Sequence, residues 1–360
     1  MEKKNQIDTF LEILVKLEGS DLHLGVDVPP MIRINGKLRR LEYPDLTAEH
    51  TAQLLKEIMS EEQRKEFNDR MDLDFAYEIP GFGRFRINAF KERLGDRAVF
   101  RTVPEEIPTP DELNMPPSIR QLAQLHKGLV LITGATGSGK STTLAAMVDL
   151  VNSNRHCHII TIEDPIEFVH RSRKSLITQR EVGQHAENFS RALRAALRED
   201  PDVILVGELR DIETISLAVT AAETGHLVLG TLHTSSAPKT IDRIVDSFPA
   251  GQQAQIRVQL SEGLKAVIAQ QLLLRRDRKG RVAAFEVLLC NNAVSNQIRE
   301  AKTHQIPSVM QTSRKEGMQT MDSALMDLVK RNIVHPAEAA ARAHSRKSFL
   351  QDLRKMGMDI

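Results

Sequence analysis

One uninterrupted glycine-rich run, Gly134-Ala135-Thr136-Gly137-Ser138-Gly139-Lys140-Ser141, constrains this chain more than any other stretch. It matches G-x-x-x-x-G-K-[ST]. The apolar Gly128–Thr133 before it reads as a buried parallel strand, and Thr142–Val151 after it reads as a helix. Strand, tight loop and helix in that order make a phosphate cradle. Glycines at 134, 137 and 139 let backbone N–H groups turn inward, and the helix start adds its positive dipole end. Lys140 is then expected to reach the β- and γ-phosphates and the Ser141 hydroxyl to ligate Mg²⁺, with the cradle running on to Thr142. A glycine-rich turn without a ligand is the alternative, and the flanking strand and helix speak against it.

A nucleotide loop of this kind needs carboxylates opposite it, to hold the metal and to orient and deprotonate the attacking water. Two apolar strands supply them. Ile159–Ile162 ends in Glu163-Asp164-Pro165-Ile166-Glu167, and Val203–Val206 ends in Gly207-Glu208. The second departs from the usual apolar run followed by Asp, because Gly207 stands where Asp is expected. Glu208 therefore reads as the residue acting through water or metal, the alternative being a capping or ion-paired Glu beside Arg210. A further strand, Leu227–Leu232, leads into His233-Thr234, where an imidazole could sense the γ-phosphate or serve as a structural histidine.

The 360 residues suffice for about two domains, and 41% hydrophobic content with mixed charge is that of a soluble globular protein. A net charge of +1 gives no overall pull toward nucleic acid or anionic membrane. Two cysteines, Cys157 and Cys290, lie far apart in apolar surroundings, which argues against disulfides and zinc. The neighbouring His156 and His158 cannot converge with Cys157 on one metal, since adjacent strand residues point to opposite faces. Met1–Leu17 carries an Ile7, Phe10, Leu11, Leu14, Leu17 stripe, so it reads as an amphipathic helix rather than a signal peptide. No apolar run approaches the roughly 18 residues needed to span a bilayer.

Upstream of the loop, a small α+β domain is expected over 1–103. Leu22–Val26 and Met31–Ile34 read as strands with a turn at Asn35-Gly36. Helices follow from Thr47 and Ser60, and then extended stretches at 73–79, 84–90 and 97–102 separated by Gly81, Gly83 and Gly95. Prolines 104, 108, 110, 116 and 117 mark a linker over 104–118, incompatible with a helix and able to hinge. The core, 119–290, alternates strands with helices, which predicts a parallel sheet covered on both faces. After Phe248 the chain reads as mainly helical, apart from a hairpin pairing 271–275 with 282–289. Its turn gathers Arg275, Arg276, Arg278, Lys279 and Arg281, read as solvated in preference to a nucleic-acid contact. A helical region is expected over 291–360.

Four boxes stand in order: Gly134–Ser141, Thr161–Glu167, Ile204–Arg210 and Gly230-Thr231-Leu232-His233-Thr234. With them the chain closely resembles the secretion ATPase superfamily, whose members power type IV pilus dynamics and type II secretion. Within it, the size and the segments Ser20–Leu24 and Gly83–Asn88 resemble the twitching-motility, pilus-retraction branch. The extension and secretion motors carry a further amino-terminal domain and commonly a four-cysteine insertion. The resemblance implies a RecA-like P-loop core, a PAS-like amino-terminal domain and an ATP- and Mg²⁺-dependent hydrolase. It also implies a cytoplasmic homohexameric ring, peripheral at the inner face of the cytoplasmic membrane. Its partners would be an inner-membrane pilus platform protein and an accessory retraction ATPase, with no nucleic acid and no membrane insertion. Arginines of the amino-terminal domain then acquire a purpose: Arg97 and Arg101 share a strand face, with Arg86 and Arg93 on the preceding hairpin, and could be delivered to a neighbour's γ-phosphate. Ordinary surface arginines are the alternative. One departure is Ser295 in Ala293–Glu300, where the retraction-linked helix often has Arg. An extension or type II secretion motor is the near rival, and a RecA-like DNA translocase the distant one, since no Trp and 4% aromatic residues offer little for base stacking.

Overall fold

The computed structural model describes residues 5–34, 36–80, 82–103 and 106–358, so the expected turn residue Asn35, the separator Gly81 and the first linker residues Pro104 and Glu105 lie outside the described residues. Two compact units divide between Glu106 and Ile107.

The first unit holds helices α1 (Gln6–Lys16), α2 (Ala48–Ile58) and α3 (Glu61–Arg70) with strands β1 (Asp21–Leu24), β2 (Met31–Ile34), β3 (Lys37–Arg40), β4 (Asp72–Ile79), β5 (Gly83–Glu92) and β6 (Gly95–Val103). The strands form one sheet in the order β3-β2-β1-β6-β5-β4, antiparallel throughout. Leu11 and Leu14 of α1 pack with Phe85, Ile87 and Phe100 of the sheet. Thr47 caps α2 through His50 N–H, and Ser60 with Gln63 forms a capping box on α3, so both helices start where side chains satisfy their free N–H groups. Strand β3 escapes a reading by pattern because all four of its residues, Lys-Leu-Arg-Arg, are exposed on a sheet edge.

The second unit is built on a seven-stranded sheet of β7 (Gly128–Thr133), β8 (His158–Glu163), β9 (Leu176–Glu181), β10 (Val203–Val206), β11 (Leu227–Leu232), β12 (Leu264–Leu274) and β13 (Arg281–Leu289). The order is β13-β12-β7-β11-β10-β8-β9, parallel except for β13. Leu129 and Leu131 face one core, with Leu193, Val219 and Ile241, while Val130 and Ile132 face another, with Leu144 and Val148. Continuous apolar strands are what a sheet buried on both faces requires. The helices are α4 (Pro117–Leu122), α5 (Lys140–Asn154), α6 (Phe189–Ala196), α7 (Ile212–Glu223), α8 (Ala237–Asp246) and α9 (Ala250–Gly263). They continue with α10 (Asn292–Arg299), α11 (Ile306–Thr312), α12 (Met321–Lys330), α13 (Pro336–Arg342) and α14 (Arg346–Lys355).

Three expectations are corrected. Pro117 does not forbid a helix: it is the first residue of α4, where its fixed φ fits and no N–H is needed, and Ile107, Leu113 and Met115 pack against the second core. The chain after Phe248 is mainly helical apart from one hairpin, as expected, but the hairpin is longer than 271–289. Strand β12 begins at Leu264 and enters the sheet beside β7, its apolar Ala266–Ala269 being indistinguishable from a buried helix by periodicity. Edge strand β9, paired with β8, was not expected at all. The carboxyl-terminal helices α12 to α14 bury Met321, Leu325, Phe349 and Leu353 against Leu273 and Val282 of the β12–β13 hairpin. The retraction-linked stretch forms α10, with Ser295 half-buried.

Candidate active site

Parallel pairing brings the carboxyl ends of β7, β8, β10 and β11 to one edge of the sheet. The segments leaving those ends line a single cleft of about 520 Å³, which collects Gly137, Lys140, Ser141, Thr142, Glu163, Glu208 and His233. A second cavity of about 480 Å³ flanks the loop on its Gly134, Ala135 and Ser138 side. The expected site residues of the second unit therefore converge. Arg97 and Arg101 lie in the first unit, on β6.

The loop conformation depends on glycine at two crowded points. Gly134 has φ +148°, and a Cβ there would sit 2.5 Å from the Gln270 carbonyl oxygen and from Ser138 Oγ. Gly139, φ +88°, would put one 2.8 Å from Gln270 Nε2. Gln270 is itself locked by the Thr143 hydroxyl, which donates to its Oε1 at 2.8 Å. Lys140 is buried, and its Nζ donates to the carbonyls of Gly134 at 3.0 Å and Ala135 at 3.1 Å. Burial pulls the Lys140 pKa down, while Glu208 and Glu167 hold it up. Ser138 Oγ is buried without a hydrogen-bond partner. A cradle that excludes a Cβ, an ammonium at its mouth and an unpaired hydroxyl fit a polyphosphate.

The departure at Gly207 has a physical cause. Its N–H donates to Ile162 O at 2.7 Å, and a Cβ would lie 3.2 Å from that same oxygen and 3.3 Å from Glu163 Cα, so an Asp side chain has little room. Thr231 ties this turn from β11, its hydroxyl donating to Gly207 O and its carbonyl accepting from Leu209 N–H. Glu208, held between these ties, reaches Arg210 Nη2 at 2.7 Å through Oε2 and His233 Nε2 at 3.2 Å through Oε1. Burial works to raise its pKa, but Arg210 and His233 outweigh it and the carboxyl lies below its ordinary value.

Glu163 behaves oppositely. Burial lifts its carboxyl above the ordinary value despite hydrogen bonds from the Thr161 hydroxyl at 2.6 Å and Gln179 Nε2 at 3.3 Å. Two carboxylates pushed apart in one cleft is the arrangement that separates acid and base roles, and Glu208 is the one kept ionised. In the first unit, Arg101 Nε donates to Asp21 Oδ1 at 2.8 Å and Arg97 lies 4.0 Å from Glu92.

Sequence reasoning missed Gln270, whose signal is a buried polar residue inside an apolar strand, and Arg281, which lines both cavities from the start of β13. It also treated Arg210 only as a competitor for Glu208, whereas the two form one cluster with His233.

The family model described as Type II/IV secretion system protein matches residues 3–359. A twitching motility protein of Neisseria gonorrhoeae is 53% identical over 320 residues, covering 89% of this chain and 86% of that one. The type IV pilus retraction ATPase PilT of Pseudomonas aeruginosa is 50% identical over 343 residues, covering 95% and 99%. Among solved structures, the pilus retraction motor PilT with bound ADP superposes with a TM-score of 0.91 at 44% identity, covering 97% of this chain and all of that one. With the P-loop, the two carboxylates and the histidine gathered in one cleft, this chain belongs to the type II/IV secretion system protein family, as a PilT-type ATPase.

Proposed function

We propose that this chain hydrolyses ATP to drive type IV pilus retraction, as a homohexameric motor at the inner face of the cytoplasmic membrane acting on an inner-membrane platform protein. The observation that carries it is the cleft in which Lys140 and an ionised Glu208 bound to His233 face one another, in a chain 50% identical over nearly its full length to a pilus retraction ATPase. Gly134 to Thr142 wrap the phosphates with backbone N–H groups, and Lys140 binds the β- and γ-phosphate oxygens. Glu208 orients the attacking water and accepts its proton, and His233 senses the γ-phosphate through Glu208. The Ser141 hydroxyl would hold Mg²⁺, with Glu163 and Glu208 acting on it through water, and the ion would supply charge neutralisation on the phosphates. Arg97 and Arg101 complete the site from a neighbouring subunit, so that hydrolysis depends on how the two units swing about the segment joining them. Among the described residues no helix is long and apolar enough to cross a membrane.

A deletion strain scored for surface pili tests the reading. Excess pili that fail to retract are expected. Loss of pili would assign the chain to extension and overturn it.

A further inference from the structure

The segment after β11 carries His233 to Glu208 and then meets a polar cluster from the far end of the second unit. Glu286, on β13, is 3% exposed, and its two carboxylate oxygens accept from the first N–H groups of two helices, Ala237 of α8 at 2.7 Å and Met321 of α12 at 3.2 Å. His344, between α13 and α14, stands with Nδ1 3.8 Å from Glu286 Oε2 and with Nε2 donating to the Ser235 carbonyl at 3.2 Å. Asp322 of α12 fixes the backbone there, accepting from His344 N–H at 2.7 Å and Ser345 N–H at 3.0 Å. Residues 235 and 237 are thus gripped from one side by side chains of the α13–α14 junction and of β13, two and four residues beyond His233.

We propose that His344 and Glu286 are positioning residues for the active site, fixing the Ser235–Ala237 backbone so that His233 stays on Glu208. A histidine at the edge of a catalytic cleft holds its geometry only if the chain that follows it is anchored, and here the anchors come from the carboxyl-terminal helices rather than from the sheet alone. The same contacts give those helices a mechanical link to the residue that senses the γ-phosphate. The inference rests on the reading that His233 and Glu208 act together in hydrolysis.

The test is steady-state ATP turnover of the full-length protein and of His344→Ala and His344→Gln, with melting temperatures recorded alongside. The His344 side chain is 36% exposed, so its removal opens no core cavity. In His344→Ala, kcat is expected to fall about fivefold, the effect of one lost hydrogen bond, with KM for ATP within about twofold. His344→Gln, whose amide can still donate to the Ser235 carbonyl, restores kcat. Unchanged kcat in His344→Ala overturns the proposal. So does a rise in KM alone, a kcat loss that the glutamine variant does not restore, or a loss accompanied by a lower melting temperature. Absence of turnover in the parent protein would instead overturn the ATPase reading.

Discussion

His233 Nε2 lies 3.2 Å from Glu208 Oε1, across the ends of the neighbouring parallel strands β10 and β11. In the proposed mechanism this contact joins the carboxylate that activates water to the imidazole that feels the terminal phosphate. Arg210 holds the second oxygen of the same carboxylate at 2.7 Å, leaving Glu208 ionised and fixed in direction.

Glu208→Gln removes the proposed proton acceptor while keeping the side-chain shape. Turnover is expected to fall by at least about 100-fold, the scale of a lost general base, with nucleotide affinity retained. Substantial ATPase activity in the purified variant would show that the water is activated elsewhere.

Gly134→Ala places a Cβ against the Gln270 carbonyl and Ser138 Oγ, and Lys140→Ala removes the ammonium that spans the loop. Both are expected to weaken nucleotide binding by at least about tenfold while the fold persists, because the strain stays in the loop. Titration with a fluorescent ATP analogue checks this, and wild-type affinity in either variant counts against the cradle.

Arg97→Ala and Arg101→Ala separate a catalytic from a structural role. Arg97 pairs with Glu92 at 4.0 Å and its half-exposed side chain lays the guanidinium over Gly25, so its removal should change stability little and lower kcat at least about 100-fold if it serves a neighbour's phosphate. Arg101 also partners the buried Asp21, so its variant should lose about 1 kcal/mol of stability as well. Normal rings with unimpaired kinetics would remove both from the mechanism.

His170 gives a pH signature. Burial, with Arg173 adding to it and Asp149 opposing, takes its pKa from the ordinary 6.5 down to about 4, and its Nδ1 is buried without a partner. A histidine with a depressed folded pKa contributes stability that is present above its unfolded pKa and is lost as pH falls from about 6.5 through about 4. Between pH 7 and 4.5 this amounts to about 2 kcal/mol. Urea unfolding of His170→Gln should therefore lose less stability over that interval than the parent does, and equal losses would mean that His170 is solvated when folded.

The nucleotide loop, the strands that end in Glu163, Glu208 and His233, and the alternation that makes the sheet parallel are all legible in the residues alone. These features are local: glycine at fixed spacing, apolar runs and capping residues act over a few positions and can be read there. That Gly207 breaks a pattern is legible there too, but not why. The carboxyl end of β8 crowds position 207, and that becomes visible on folding because the neighbour comes from a distant part of the chain. Likewise Gln270 is one polar residue in an apolar strand until β12 pairs beside β7 and sets it under the loop. The opposite pKa shifts of Glu163 and Glu208 are also beyond local pattern, since both are glutamates at strand ends and only burial and partners distinguish them. The edge strands β3 and β9 stayed hidden for a related reason: an exposed edge needs no apolar signature, and its pairing is fixed by the neighbour it finds.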